Sequence, residues 1–203
     1  IITDENGNDI EKIILHFNSP KLKLYKNEYR LGCFLNKHKA CSLANNIWIA
    51  LIDSDNFADI NYFKSASDFI ENNNLSNNTI LSPSKALPSY KFNVGCYRKQ
   101  NLKGTELMLN TGNYIINKYL ISNISFINDI ENIKNSNACD VILFNIMLFE
   151  QFNINFYVIK DMTYLHTTHN GSIYLQECNE PYYKKLIYEL KNKRLINLLN
   201  SST

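Results

Sequence analysis

Hydrophobic and polar positions in the first 80 residues alternate between the patterns of strands and helices. Apolar side chains are continuous in residues 1–3 and 47–52 and alternate with polar ones in residues 21–25, as in strands. They recur at helical spacing in residues 10–17 and 33–45. This βαβαβ order predicts an open, doubly wound α/β sheet, in which residues 47–52 form a central strand of a parallel sheet.

The same patterns continue after the fifth of these elements. Asp59 is placed to cap a helix in which Ile60, Phe63 and Ile70 face inward. Residues 79–81 predict a further short strand.

The second half of the chain is less regular. Residues 82–112 are rich in proline and glycine, and they predict a long loop region with short strands, of the kind that serves a ligand. The pattern then predicts a helix at residues 113–121 and a strongly apolar helix that begins at Asp140. A strand at residues 154–159 and a last helix from Pro181 follow. The polar stretch YLHTTHNGS (164–172) follows the strand.

Composition indicates an ordinary globular protein. Of 203 residues, 45% are hydrophobic and 20% are charged, and the net charge is only +2 with scattered Lys and Arg, so nucleic acid is not an expected partner. No apolar stretch reaches the roughly 20 residues of a membrane span. The 5 cysteines form no C-x-x-C pair, which favours a reducing compartment. We expect a cytoplasmic protein, in the host cytoplasm if the chain is viral.

Two acids follow the most apolar run, in the stretch WIALIDSDNF (48–57). Residues i and i+2 of an extended chain point to the same side, so the carboxylates of Asp53 and Asp55 are predicted to converge beyond the end of the strand. Such carboxylates repel each other unless a cation or hydrogen-bond donors lie between them. Mg²⁺ and Mn²⁺ take oxygen ligands of this kind together with substrate phosphates. The alternative is a surface turn in which one of the acids caps the next helix.

Four motifs in order resemble an inverting family-2 glycosyltransferase with the GT-A fold. DENGND (4–9) stands where that family has its first acidic turn. NEYRLGCFLNKHKACSLANNIWIALIDSDNF (27–57) resembles the family's "N…N.G…A.N.G…A" segment and its strand ending in "D.D". NACDVILFNIMLFEQFNINFYVI (137–159) resembles the helix–strand unit that carries the catalytic acid, and YLHTTHNGS resembles "YRxHxxS". The resemblance covers most of the chain and implies a single domain, with residues 1–82 for the nucleotide sugar and residues 83–203 for the acceptor and catalysis.

The resemblance also implies roles for individual residues. Asp140 would be the general base that deprotonates the acceptor hydroxyl. The donor would be bound by Asp4, Asn36, Asp53 and Asp55. Mn²⁺ or Mg²⁺ would be held by Asp55, Asp53, His169 and His166. The implied donor is a nucleoside-diphosphate sugar, UDP-linked in the first instance, and the implied acceptor is a glycan or a protein-linked hydroxyl.

The sequence departs from the family pattern at three places. The strand and helix that usually open such a domain are missing from this sequence, so we expect a GT-A sheet without its first β–α unit. The usual acid before the catalytic one is Cys139, and the usual arginine of "YRxH" is Thr167.

Three other functions remain as alternatives. A nucleotidyltransferase of related fold would also use paired acids and a metal, but it would need a basic glycine-rich phosphate loop near its start. A non-catalytic domain that binds a glycan or a nucleotide is the second alternative. The third is a thiol enzyme that uses Cys33 or Cys139 with a histidine.

Overall fold

A computed structural model of the chain describes residues 1–4, 8–53, 55–88, 90–102, 109–110, 113–126, 133, 139–167 and 180–200. The strands in these ranges are β1 Ile2–Asp4, β2 Leu24–Lys26, β3 Trp48–Ala50, β4 Phe57–Ala58, β5 Thr79–Leu87, β6 Tyr90–Lys91, β7 Gly95–Tyr97, β8 Ile115–Asn117 and β9 Asn155–Leu165. The helices are α1 Asn8–His16, α2 Gly32–Ser42, α3 Tyr62–Asn72, α4 Lys118–Asn123, α5 Asp140–Gln151, α6 Pro181–Ile187 and α7 Ile196–Asn200. Lys99–Asn101 forms a 3₁₀ turn, and a π-helical segment, Tyr188–Leu195, joins α6 to α7.

The described strands form two sheets. β1 and β2 pair in parallel as a two-stranded sheet, and the other strands form a seven-stranded mixed sheet. The main path of the larger sheet runs β3-β8-β5-β9-β4, and β6 and β7 add to β5 and β9. β5 and β9 are parallel, whereas the other pairs of this sheet are antiparallel. The α/β class predicted from the alternating pattern is therefore confirmed, but the sheet is mixed and not the doubly wound parallel sheet that this pattern predicted.

The prediction that residues 47–52 form a central parallel strand is wrong. β3 has 3 residues, pairs antiparallel with β8 and lies at one end of the described sheet. Its apolar run has a different cause. Ile49 and Leu51 belong to the core on one face, while Trp48 packs partly against the core on the other. Trp48 is only partly buried and Ala50 is exposed, so the second face of β3 is incompletely covered and the continuous apolar run does not mark a strand buried on both faces.

Helices cover both faces of the seven-stranded sheet. Side chains of neighbouring residues in a strand point to opposite faces. Ile80 accordingly joins a core with side chains of α2, α4, α5 and the C-terminal helices, whereas Leu81 joins a core with α3. Among the helices of the described ranges, none has the length and apolar composition needed to cross a membrane.

The inward face of α3 differs from the predicted one. Tyr62 is fully buried and Ile70 is partly buried, but Ile60 and Phe63 are 90% and 54% exposed. The prediction is wrong for these two residues. Ile60 precedes the helix and does not share its period, and Phe63 lies on the outer side of the helix next to the buried Tyr62. Asp59 lies just before the helix, and its carboxylate accepts a hydrogen bond from the Asn61 amide (2.9 Å).

The predicted helix at residues 113–121 is wrong in its first half. Residues 115–117 are the strand β8, and the helix α4 follows directly. The isoleucines before Asn117 favour a strand, and the Asn117 side chain accepts a hydrogen bond from the Tyr119 amide (3.0 Å), which caps α4.

β9 is longer than predicted and contains an irregularity. Its register with β5 shifts between Pro83 and Lys85, and Asp161, in the bulged part, has a positive φ of 61°. Aspartate tolerates this left-handed conformation better than most residues. A bulge bends a strand, and beyond this one β9 pairs with β4 and carries Tyr164 to the residues that follow β3.

Candidate functional site

A lysine joins two of the predicted site acids. Nζ of Lys37, in α2, lies 2.8 Å from Oδ2 of Asp140, the first residue of α5, and 3.1 Å from Oδ1 of Asp53, in the segment after β3. The side chains of Lys37, Asp140 and Asp53 are 24%, 12% and 30% exposed, so the three charges lie partly out of water. The small cavity beside Lys37 and Asp140 is otherwise lined by Phe34, Cys41, Leu51 and Phe144. We call Lys37, Asp53 and Asp140 the lysine–acid network.

The charges of this network reinforce one another. Burial by itself would lower the pKa of Lys37, but the neighbouring charges of Asp140 and Asp53 outweigh burial and raise that pKa above its ordinary value. Two carboxylates thus share one ammonium group, and their attraction to it is stronger than it would be on an open surface. Burial also raises the pKa of the Cys41 thiol to about 12, against the opposing charge of Lys37, so this thiol stays protonated at neutral pH.

Asp53 and Asp55 lie in a turn and not in extended chain. β3 ends at Ala50, and the amide of Asn56 donates a hydrogen bond to the Asp53 carbonyl (3.1 Å). The prediction that the two acids continue the extended strand is therefore wrong, and convergence of their carboxylates stays a prediction. The alternative of a turn is correct for the backbone, but the Asp53 carboxylate faces Lys37 in α2 and not the helix that follows.

The end of β9 is fastened to this turn. The Asn56 side chain, 8% exposed, accepts a hydrogen bond from the Thr167 amide (2.8 Å). The Thr167 hydroxyl donates to the Asp55 carbonyl. Thr167 stands where the resembled family has an arginine, and here it holds the two segments together.

His166 lies beside the same turn. Its amide donates a hydrogen bond to the Leu87 carbonyl at the end of β5 (2.9 Å), and its side chain is exposed. The structure thus brings the segment that carries His166 next to the segment that carries the two acids. His169, the other histidine predicted as a metal ligand, is outside the described residues.

A buried hydroxyl group completes this part of the site. Tyr164 is fully buried, and its hydroxyl makes no hydrogen bond of normal geometry among the described residues. Burial raises the pKa of Tyr164 above its ordinary value, and the negative charges of Asp53 and Asp55 contribute to the rise. The hydroxyl is therefore a proton donor at physiological pH, close to both acids.

Asp4 and Asn36 belong to a second polar group, at the ends of β1 and β2. The Asp4 carboxylate accepts a hydrogen bond from an amide in α1 (3.3 Å). Asn36 accepts one from the side chain of Asn27 (2.9 Å) and donates one to the Thr3 carbonyl (3.4 Å). Asn36 and Lys37 are consecutive in α2, so this group adjoins the lysine–acid network around the helix. Contact of Asp4 and Asn36 with a nucleotide stays a prediction.

The described residues offer ligands of the right chemistry for a divalent ion. Carboxylates of Asp53 and Asp55 and the imidazole of His166 are donors that Mg²⁺ or Mn²⁺ accepts. Within the described ranges, however, three or more His, Cys, Asp or Glu side chains do not converge on one point. Donors of this kind fit an ion that is bound through Asp55 and a substrate phosphate, which is a common way to bind Mg²⁺. Oδ1 of Asp53 already contacts the Lys37 ammonium (3.1 Å).

Lys37 is the site residue that the sequence analysis did not identify. A signal for it was present, because Cys33, Lys37 and Cys41 are spaced by four residues on α2, and Cys41 is buried. A lysine on the inward face of a helix is costly to bury unless it is paired, so its position predicts an acidic partner.

Comparison with known proteins adds no family to this description. No family model matches the sequence, and a search of the curated proteins finds no significant match. Fold and site together define a mixed α/β protein in which two acids from distant segments meet at one half-buried lysine, and one of these acids, Asp53, lies in a turn that also carries Asp55.

Proposed function

We propose that the chain is an inverting, metal-assisted glycosyltransferase with the GT-A fold. It transfers a sugar from a nucleoside-diphosphate sugar, UDP-linked in the first instance, to a hydroxyl group of a glycan or a protein-linked acceptor. The observation that carries this proposal is the contact of Lys37 with both Asp53 and Asp140. Asp53 is the acid assigned to the donor and Asp140 the acid assigned to the reaction, and a transferase needs these two close to each other.

Asp140 is the general base of the proposed reaction. Its carboxylate takes the proton of the acceptor hydroxyl while the acceptor oxygen forms a bond to the anomeric carbon of the sugar. The bond from that carbon to the diphosphate breaks on the opposite face, and the nucleoside diphosphate leaves with the electron pair, which inverts the configuration. The position of Asp140 suits this role because the first turn of α5 favours a negative charge.

The other named residues bind the donor. Asp55 and Asp53, with His166 beside them, would hold the divalent ion, and Asp4 and Asn36 would contact the nucleotide. When it is bound, the ion supplies positive charge to the diphosphate leaving group. The buried Tyr164 hydroxyl is a further hydrogen-bond donor near this end of the sheet.

Release of the nucleoside diphosphate tests the proposal. The protein is incubated with UDP-sugars and GDP-sugars and Mn²⁺, with simple glycans as acceptors, and the released diphosphate is measured. We expect turnover by the unmodified chain and a rate of diphosphate release that is at least ~100-fold lower in Asp140→Asn. Asp68→Asn is the matched control, because Asp68 is an exposed acid of α3 paired with Lys64, and this variant should keep full activity.

Other results would favour the alternatives. Calorimetric binding of UDP without any turnover of a donor sugar, even with water, would favour a non-catalytic nucleotide-binding domain. Preference for a nucleoside triphosphate, with release of pyrophosphate, would favour a nucleotidyltransferase. Equal activity of Asp140→Asn and Asp68→Asn would contradict the assigned base.

A further inference from the structure

The ammonium group of Lys37 lies between two carboxylates, and it would repel a second cation that bound at either of them. Its nitrogen is 3.1 Å from Oδ1 of Asp53 and 2.8 Å from Oδ2 of Asp140. The nitrogen has three hydrogens to donate, and the two acids take two of them. In the proposed function, the same Asp53 is a ligand of the divalent ion.

The ammonium and a divalent ion cannot share Asp53 without a cost. An ion bound about 2.1 Å from Oδ1 of Asp53 would lie at most about 5 Å from the Lys37 nitrogen. Like charges at that separation repel strongly in surroundings that are partly closed to water. Lys37 sits on a helix and is held at its other side by Asp140, so it can release Asp53 while it stays paired.

We propose that Lys37 is a positioning residue that competes with the divalent ion for Asp53, and that binding of the ion transfers the ammonium wholly to Asp140. This inference rests on the proposed function, because it takes the ion to belong to the donor site. It goes further in that occupation of the donor site changes how the Lys37 ammonium is shared. The ammonium is divided between Asp53 and the proposed base Asp140 when the donor is absent, and it pairs with Asp140 alone when the donor is present.

Mn²⁺ alone is the probe for this competition, and its affinity is measured by the loss of the free-ion signal in electron paramagnetic resonance. We expect Lys37→Met to bind Mn²⁺ at least about tenfold more tightly than the unmodified chain, because the competing charge is gone. Lys37→Gln is a second neutral variant that keeps hydrogen-bonding capacity between the two acids if the methionine variant folds poorly. Lys37→Arg keeps the charge and should bind Mn²⁺ as weakly as the unmodified chain.

Lys39→Met is the matched control for loss of a positive charge. Lys39 is on the same helix, but two residues correspond to about 200° around the axis. The Lys39→Met variant should change the Mn²⁺ affinity by no more than about twofold. The tightening in Lys37→Met should also disappear in the double variant Lys37→Met/Asp53→Asn, because the freed ligand is then absent.

The outcomes separate this inference from the proposed function. If Mn²⁺ binds with the same affinity to the unmodified chain, Lys37→Met and Lys37→Gln, competition is refuted and the metal site stands. If neither the unmodified chain nor the two neutral variants binds Mn²⁺, the metal site of the proposed function and the competition are both refuted. If Lys39→Met tightens binding as much as Lys37→Met, the effect is general electrostatics and the specific role of Lys37 is overturned.

Discussion

Lys37 and Asp140 are 103 positions apart in the chain, and the charged atoms of their side chains are 2.8 Å apart. The pair fixes α2 against the first turn of α5, and Asp53 joins it from the segment after β3. Three elements of the fold therefore depend on one ammonium group for their relative position.

Removal of the Lys37 charge should destabilise the fold. Loss of one partner of a buried ion pair typically costs about 3–5 kcal/mol, and partial exposure of this network reduces the expected loss for Lys37→Met to about 2 kcal/mol. Unfolding in urea measures it. Lys64→Met is the matched control, since Lys64 forms an exposed pair with Asp68 (2.6 Å), and it should cost less than about 0.5 kcal/mol. Equal losses in the two variants would contradict a structural role for the network.

Asn56 should stabilise the turn through its hydrogen bond to the end of β9. Asn56→Ala leaves the Thr167 amide without its partner, and we expect a loss of about 1–2 kcal/mol in the free energy of unfolding. Asn72→Ala is the control, because Asn72 donates to a helix carbonyl at an exposed position and should change stability by less than about 0.5 kcal/mol. Amide exchange in residues 166–167 should also become faster in Asn56→Ala alone. Unchanged exchange there would mean that the turn does not depend on this contact.

The local elements of this fold are largely predictable from side-chain spacing, while the pairing of strands is not. α1, α2, α5 and the last helix appear close to their predicted places because an amphipathic period is a local property. The place of β3 at one end of a mixed sheet depends on β8, which lies about 65 residues further on. An apolar run indicates that a strand contributes to the core, but it carries no information on which strands lie beside it.

The candidate site shows the same division. The sequence pattern correctly places Asp140 at the start of a helix and Asp53 after a strand. The conformation of Asp53 and Asp55 depends on a turn closed by Asn56 and on Thr167, which no local pattern reveals. The buried lysine was visible as a cation on an inward helix face, but only the fold shows which acids meet it.

His38 should make stability depend on pH in the weakly acidic range. It lies next to Phe126 and its Nε2 is 3.2 Å from the Ile121 carbonyl, so it is not the ordinary surface histidine that its place near lysines suggests. Burial lowers the pKa of His38, although the carbonyl contact opposes this effect. The unfolded chain therefore takes up the proton more readily than the folded one, and stability should fall as the pH drops below about 6.5.

Unfolding in urea at pH 5 to 8 tests the role of His38. The difference in stability between the unmodified chain and His38→Gln should shift in favour of the variant as the pH is lowered, because glutamine does not titrate. His16→Gln, at the exposed end of α1, is the control and should follow the unmodified chain at every pH. A pH-independent difference for His38→Gln would show that this histidine does not titrate between the two states.

Asn145 should be the most sensitive polar residue of the core. It is fully buried in α5, accepts a hydrogen bond from the Tyr114 hydroxyl (2.9 Å) and donates to the carbonyls of Leu109 (3.0 Å) and Val141 (2.8 Å). Tyr114→Phe removes one of these bonds and should cost about 1–2 kcal/mol. Asn145→Leu removes three side-chain hydrogen bonds at once, and we expect a loss of about 3 kcal/mol or more.

Tyr97→Phe is the control that separates the loss of the buried Tyr114 hydrogen bond from the loss of any tyrosine hydroxyl. The Tyr97 hydroxyl donates to the Asn93 carbonyl (2.8 Å) at an exposed position, where water can replace it, so the change should stay below about 0.5 kcal/mol. Thermal and urea unfolding should thus rank the three variants in the order Tyr97→Phe, Tyr114→Phe, Asn145→Leu. Should Asn145→Leu be no less stable than Tyr114→Phe, the two carbonyl contacts of Asn145 do not stabilise the fold.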